Sequence, residues 1–236
     1  MFFIFNKKII LLILLAIFLS LVLVLFFNHE KDTVQTISLP ITNSVIILDA
    51  GHGYPDKGAE GKNGITESDI NLSIVLKLQN LLEQSGVTVV LTRSDENGIY
   101  DIDKESLRQK HISDLKNRVK IGNESGADVF VSIHLNKISQ EKYNGWQTFF
   151  KSNDENSKKL AESIQKSLDN SIQRENKRVA LEIKGIYLVK NVNIPTTIVE
   201  CGFLSNYEEA SLLIEEEYQN KLAWGIYIGI MEYFRQ

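Results

Sequence analysis

The chain has 236 residues, of which 43% are hydrophobic, with 26 basic and 30 acidic side chains and a net charge of −4. This length suits one domain plus an appendage, and the ordinary composition excludes a disordered, collagen-like or coiled-coil chain. The mild acidity argues against a nucleic-acid partner, which needs a basic face for phosphates, and the lone cysteine, Cys201, excludes an intrachain disulfide.

Residues 9–27 form an apolar run of 19 residues, broken only by Ser20 and preceded by Lys7 and Lys8. At about 1.5 Å per residue such a helix crosses the hydrocarbon core of a bilayer. Its exit, FFNHEKD, shows no small-residue cleavage site. An uncleaved signal anchor over residues 1–27 is therefore preferred to a cleaved signal peptide. The lysines hold the N-terminus in the cytoplasm, and the rest of the chain lies outside it. Residues 28–43 lack periodicity and read as a linker, with the catalytic domain over 44–236.

Beyond Ser44, short β-branched runs alternate with longer helical patterns. The reading is a three-layer α/β/α sandwich around a mostly parallel, mixed sheet of about six strands. The candidate strands are 45–49, 87–92, 129–134, 146–150, 186–189 and 196–200. A helix opens at Thr66, which has a capping-box offset to Asp69, carries Ile70, Ile74, Leu78, Leu81 and Leu82 on one face, and ends at Gly86. Further helices cover 113–123 and 155–173, the latter with Leu160, Ile164, Leu168 and Ile172 inward. A box from Ser205 to Glu208 opens a C-terminal helical region that runs to Tyr233.

Four polar residues stand where strands end or loops leave them, the place where sites form in open α/β sheets. His52 lies in DAGHG directly after the first strand, where it serves either structure or a metal. Glu67 sits in the first turn of the first long helix, where an acid also suits the helix dipole. His134 ends the apolar run VFVSIH, and an imidazole there needs a hydrogen bond or a metal. Glu200 ends TTIVE, where a carboxylate is costly without a cation, a metal site or water. Together they supply what a catalytic zinc needs: three N/O ligands, an open position and a nearby general base.

Four blocks, LDAGHGYPDKGA (48–59), GITESDINLSIVLKLQNLLE (64–83), VSIHLNK (131–137) and PTTIVECGFLSNYEE (195–209), resemble the zinc-dependent N-acetylmuramoyl-L-alanine amidases of the Amidase_3 family over residues 44–236. The resemblance implies Zn2+ on His52, Glu67 and His134, with Glu200 activating water. It also implies hydrolysis of the amide between N-acetylmuramic acid and the first L-alanine of the peptidoglycan stem. Tyr54, Pro55 and Lys137 depart from the family pattern. A lone catalytic domain behind an anchor, with Cys201 after the glutamate, resembles the germination-specific CwlD type of endospore formers. That type implies muramic-δ-lactam formation in spore cortex and a place between the forespore membranes. A three-ligand site open to solvent holds zinc weakly, so an accessory protein that binds the zinc-loaded form is expected to control it. A non-catalytic zinc-stabilised peptidoglycan-binding module is the competing reading; such a binder has no need of Glu200.

Asn136, just after His134, is a further candidate for substrate contact. Arg93, after the second strand, either binds a substrate carboxylate or pairs with an acid. Cys201 faces away from the site if Glu200 faces it, since adjacent strand residues point to opposite sides. His29 and His111 lie in polar stretches and read as solvated.

Overall fold

The computed structural model describes residues 11, 13–20, 41, 43–61 and 64–236. The chain divides after Ser38 into two units. In the first, residues 13–20 are helical; most of the expected anchor and linker lies outside the described residues. Among the described residues no helix is long and apolar enough to cross a membrane. The second unit takes in Ile41, so the expected linker over 28–43 reaches too far; the Ile41 side chain is fully buried in the core.

Six strands form one sheet: β1 (Val45–Ala50), β2 (Thr88–Leu91), β3 (Val129–Asn136), β4 (Gln147–Lys151), β5 (Leu181–Ile183) and β6 (Thr196–Phe203). Their order is β2-β1-β3-β6-β4-β5. Neighbours run parallel except β4 and β6, which are antiparallel. The mixed sheet is as expected, but its fifth strand is not the run 186–189. Ile186 caps and Tyr187, Leu188 and Val189 begin a short helix, and the edge strand lies earlier. A four-residue apolar run has no period long enough to separate helix from strand; here Leu188 and Val189 turn inward from one helical turn.

Six helices flank the sheet: α1 (Glu67–Gln84), α2 (Leu107–Glu124), α3 (Glu155–Ile172), α4 (Tyr187–Asn191), α5 (Tyr207–Leu213) and α6 (Glu216–Phe234). One face of the sheet packs Ile46, Leu48, Val131, Ile133, Val199 and Cys201 against α1, α3 and α6. The other packs Ile47 and Phe130 against Leu188 and Val192, with Val119 and Ile121 of α2 alongside. The four inward residues expected of α3 are all buried, each contributing on the order of 1.5–3 kcal/mol. At Gly229 of α6 an added Cβ would lie 2.4 Å from the Ile164 backbone, so only glycine permits this approach of α6 to α3.

Caps explain where the helices start. The Thr66 hydroxyl accepts from the Asp69 N–H at 3.3 Å, as the spacing predicts. Helix α2 begins six residues before the expected Ser113, at a full capping box between Ser106 and Gln109. Its buried residues are Ser113, Arg118 and Gly122, so it carries no apolar stripe to announce it. The N-cap of α5, which opens the C-terminal helical region, is Asn206 rather than Ser205, with Asn206 Oδ1 accepting from the Glu209 N–H at 2.9 Å. Glu209 turns inward and its carboxylate accepts from the N–H groups of Gly145 and Phe203.

Candidate active site

Strands β1, β3 and β6 are parallel neighbours, so their carboxyl ends open at one edge of the sheet, where α1 also starts. This brings His52, Glu67 and His134 together with ligand atoms within 4.8 Å of one another. His52 Nε2 lies 3.2 Å and His134 Nδ1 3.1 Å from Glu67 Oε1. Tetrahedral zinc with bonds of about 2.0–2.1 Å holds ligand atoms roughly 3.4 Å apart, so two imidazole nitrogens and one carboxylate oxygen at these separations fit such an ion.

Each of the three is oriented by a neighbour. His52 takes a left-handed backbone, φ 62°, in the turn after β1, and its Nδ1 donates to Asp56 Oδ2 at 2.9 Å. With Nδ1 held by that bond, Nε2 is the nitrogen turned toward Glu67 and the one placed to ligate a metal. Glu67 accepts from the N–H of Leu135 through Oε1 and from the N–H of Ala59 through Oε2. His134 lies against Gly51, where an added Cβ would come within 2.3 Å of the imidazole ring.

The charges in the pocket depend on one another. Burial opposes a charged His52, yet its bonds to Asp56 and Glu67 outweigh this and raise it to about 10. Burial likewise opposes an ionised Glu67, and both histidines overcome it, holding the carboxyl well below its usual range. Glu200 is the opposite case: burial pushes its carboxyl up to about 7, and its Oε2 is buried without a hydrogen-bond partner. In the β3–β6 register Glu200 stands opposite His134, and both line a cavity of about 160 Å³ with His52.

Two arginines hold the loop that carries His52. Arg93 is buried, and its guanidinium donates to the carbonyls of Ala50, Gly51, Ser68 and Asp95. Neither of the roles expected of it, substrate binding or pairing with an acid, is what these bonds do: they clamp backbone. Arg118 pairs with Asp49 and Asp114 and donates to the carbonyls of Ala50 and His52. Asn136 ends β3 beyond a register shift, and its carbonyl accepts from the Leu204 N–H.

The sequence reading missed Asp56, Asp49 and Arg118, and it misplaced His111. His111 is half exposed but not merely solvated: its Nδ1 lies 3.1 Å from Asp56 Oδ2, making a chain from His52 through Asp56 to His111. Asp56, four residues after His52, was the one legible signal. Cys201 faces the core opposite Glu200, as strand alternation requires, and burial pushes its thiol far up.

A family model described as N-acetylmuramoyl-L-alanine amidase, Amidase_3, matches residues 46–232. The chain belongs to this family of amidases. It is 35% identical over 226 residues to the germination-specific N-acetylmuramoyl-L-alanine amidase of Bacillus subtilis, covering 94% of each chain. Among solved structures it resembles the CwlD amidase from Clostridioides difficile in complex with the GerS lipoprotein, at 48% identity and a TM-score of 0.80, over 82% of this chain and 99% of that one. An N-acetylmuramoyl-L-alanine amidase from Clostridium difficile 630 matches at 32% identity and a TM-score of 0.71, over 82% and 97% of the two chains. The chain is thus an amide-hydrolysing enzyme, and its likeness within the family is to the germination-specific, CwlD type.

Proposed function

We propose that this amidase is zinc-dependent, with His52, Glu67 and His134 as ligands and Glu200 as the catalytic carboxylate, and that it acts on the peptidoglycan of spore cortex. The observation that carries the reading is Glu200 itself: a carboxylate with a buried, unpartnered oxygen, opposite one ligand and in the cavity lined by another. A packing role gives no reason to leave that oxygen without a donor.

When bound, zinc polarises the scissile carbonyl and lowers the pKa of a water. Glu200 takes the proton of the attacking water and delivers it to the alanine nitrogen, which leaves poorly unless protonated. A carboxyl held near neutrality by burial can do both. Asp56 keeps His52 in the tautomer that ligates, and Glu67 is held by two backbone N–H groups so that it approaches from one direction. Asn136, half-buried at the end of β3, offers an amide for a substrate contact.

The likeness to a germination-specific relative supports the cortex role, in which stem removal prepares muramic-δ-lactam. Residues 1–27 serve as the anchor and the stretch that follows as the linker, with the catalytic domain outside the cytoplasm, between the forespore membranes. An accessory protein governs the site, a reading supported by the solved relative in complex with a lipoprotein. Full zinc occupancy and full activity of the enzyme alone would count against that partner.

The test is digestion of purified cortex by the zinc-loaded enzyme, followed by mass spectrometry. Stem peptides with a new alanine amine are expected, lost on chelation and lost in Glu200→Gln with zinc retained. Full activity of that variant removes the role from Glu200, and release of any other product overturns the substrate assignment.

A further inference from the structure

Beside the pocket that holds Glu200, a groove of about 650 Å³ opens between the β1–α1 loop and the start of α2. The two spaces share His52, Asp56, His111 and Asp114, so the groove continues directly from the reacting centre. Lys57, Arg108 and Lys110 line it, with Tyr100 and Leu107 supplying apolar surface.

The acids on its walls are already engaged. Asp56 accepts from both histidines, and Asp114 accepts from Arg118 and from the Ile99 N–H. Glu60 lies 3.8 Å from Lys57. Lys110 is placed with its ammonium 4.9 Å from the centre of the Tyr100 ring. Arg108 makes no hydrogen bond or ion pair with any described residue. It sits in the first turn of α2, where the helix dipole disfavours a cation, so helix stability does not account for it.

The other wall of the Glu200 pocket is different in kind. Ile183, Ile186 and Leu188 line it, and the one arginine there, Arg118, is spent on Asp49 and Asp114. The groove thus offers an uncommitted cation, Arg108, and the apolar lining of the Glu200 pocket offers none. The scissile amide has the same asymmetry: its nitrogen leads to a peptide bearing free carboxylates, whereas its carbonyl leads to a sugar whose own carboxyl is consumed in the amide.

Resting on the amidase reading, we propose that Arg108, with Lys110 lining the same groove, binds a carboxylate of the stem peptide. The peptide then runs along the groove, and the sugar lies toward the isoleucine wall. Arg108 is a specificity residue rather than a catalytic one, because it touches neither the ligands nor Glu200.

The test uses the full chain, zinc-loaded, with two muropeptides that differ only in whether the stem carboxylates are free or amidated. The native enzyme is expected to show a KM roughly 3- to 10-fold lower for the free acid, the scale of a partly exposed charged contact. Arg108→Gln should erase that preference through KM, with zinc content unchanged, and Arg108→Lys should restore part of it. Equal KM for the two substrates in the native enzyme, or an undiminished preference in Arg108→Gln, overturns the subsite. Cleavage of neither muropeptide overturns the amidase reading, and the subsite with it.

Discussion

His134 and Glu200 stand directly opposite one another on the parallel strands β3 and β6, so their side chains share one face of the sheet. The same register places Cys201 on the far side, in the core. One strand pairing thus sets a metal ligand and an acid–base carboxylate side by side and keeps the only thiol away from both.

That pairing separates two losses. His134→Ala should lose zinc and activity together, whereas Glu200→Gln should keep zinc and lose kcat by about 10²–10⁴-fold, the usual scale for acid–base groups. Metal analysis beside turnover distinguishes them. Zinc loss in Glu200→Gln would mean that Glu200 is a ligand.

Asp56 holds His52 through Nδ1, and its other oxygen accepts from the Gly58 N–H, next to the Ala59 N–H that holds Glu67. Asp56→Asn should weaken zinc binding by about 10–100-fold, the scale for a lost partner of a ligating histidine. Competition with a chromogenic chelator measures this without any substrate. An unchanged affinity would assign the His52 orientation to its backbone alone.

Gly51 leaves room for the His134 ring. Gly51→Ala should displace the imidazole, since the new methyl would lie 2.3 Å from its Cε1. Stability should fall by about 1–3 kcal/mol, and zinc binding should fall with it. Calorimetry with and without zinc checks both; a fully metal-loaded variant would show that the ring can move without cost.

The buried Asp49 gives the fold an acid dependence. Burial raises its pKa, but Arg118 and the hydroxyls of Ser132 and Thr92 outweigh this and hold it below the ordinary 3.8. Because the folded value is the lower one, ionised Asp49 contributes stability above the unfolded value, and that contribution is lost as pH falls through the folded one. Asp49→Asn should destabilise the domain by roughly 3 kcal/mol at neutral pH, since it strips Arg118 of a buried partner. It should also flatten the stability profile below about pH 4. Urea melts from pH 7 downward test both, and parallel profiles for the two proteins would contradict the assignment.

Cys201 is fully buried with its thiol pushed up, so it should resist alkylation in the folded protein and react once unfolded. Cys201→Ala should turn over substrate at the native rate and lose about 1 kcal/mol of stability. Rapid native labelling, or a fall in kcat with zinc bound, would reopen a role for the thiol.

The sequence by itself determined what depends on neighbours along the chain. The β-branched runs, the cap at Thr66, the stripe on α3 and four polar residues at strand ends are readable because backbone preference and periodicity act over a few residues. The tertiary structure decided what depends on distant segments meeting. It drew His111 to Asp56 across 55 residues and spent Arg93 on carbonyls. It also moved the edge strand to Leu181–Ile183 and left one Glu200 oxygen without a donor. A polar helix such as α2 shows the reason: its buried residues are fixed by the partners it meets, Asp49 above all, and no local period encodes a partner.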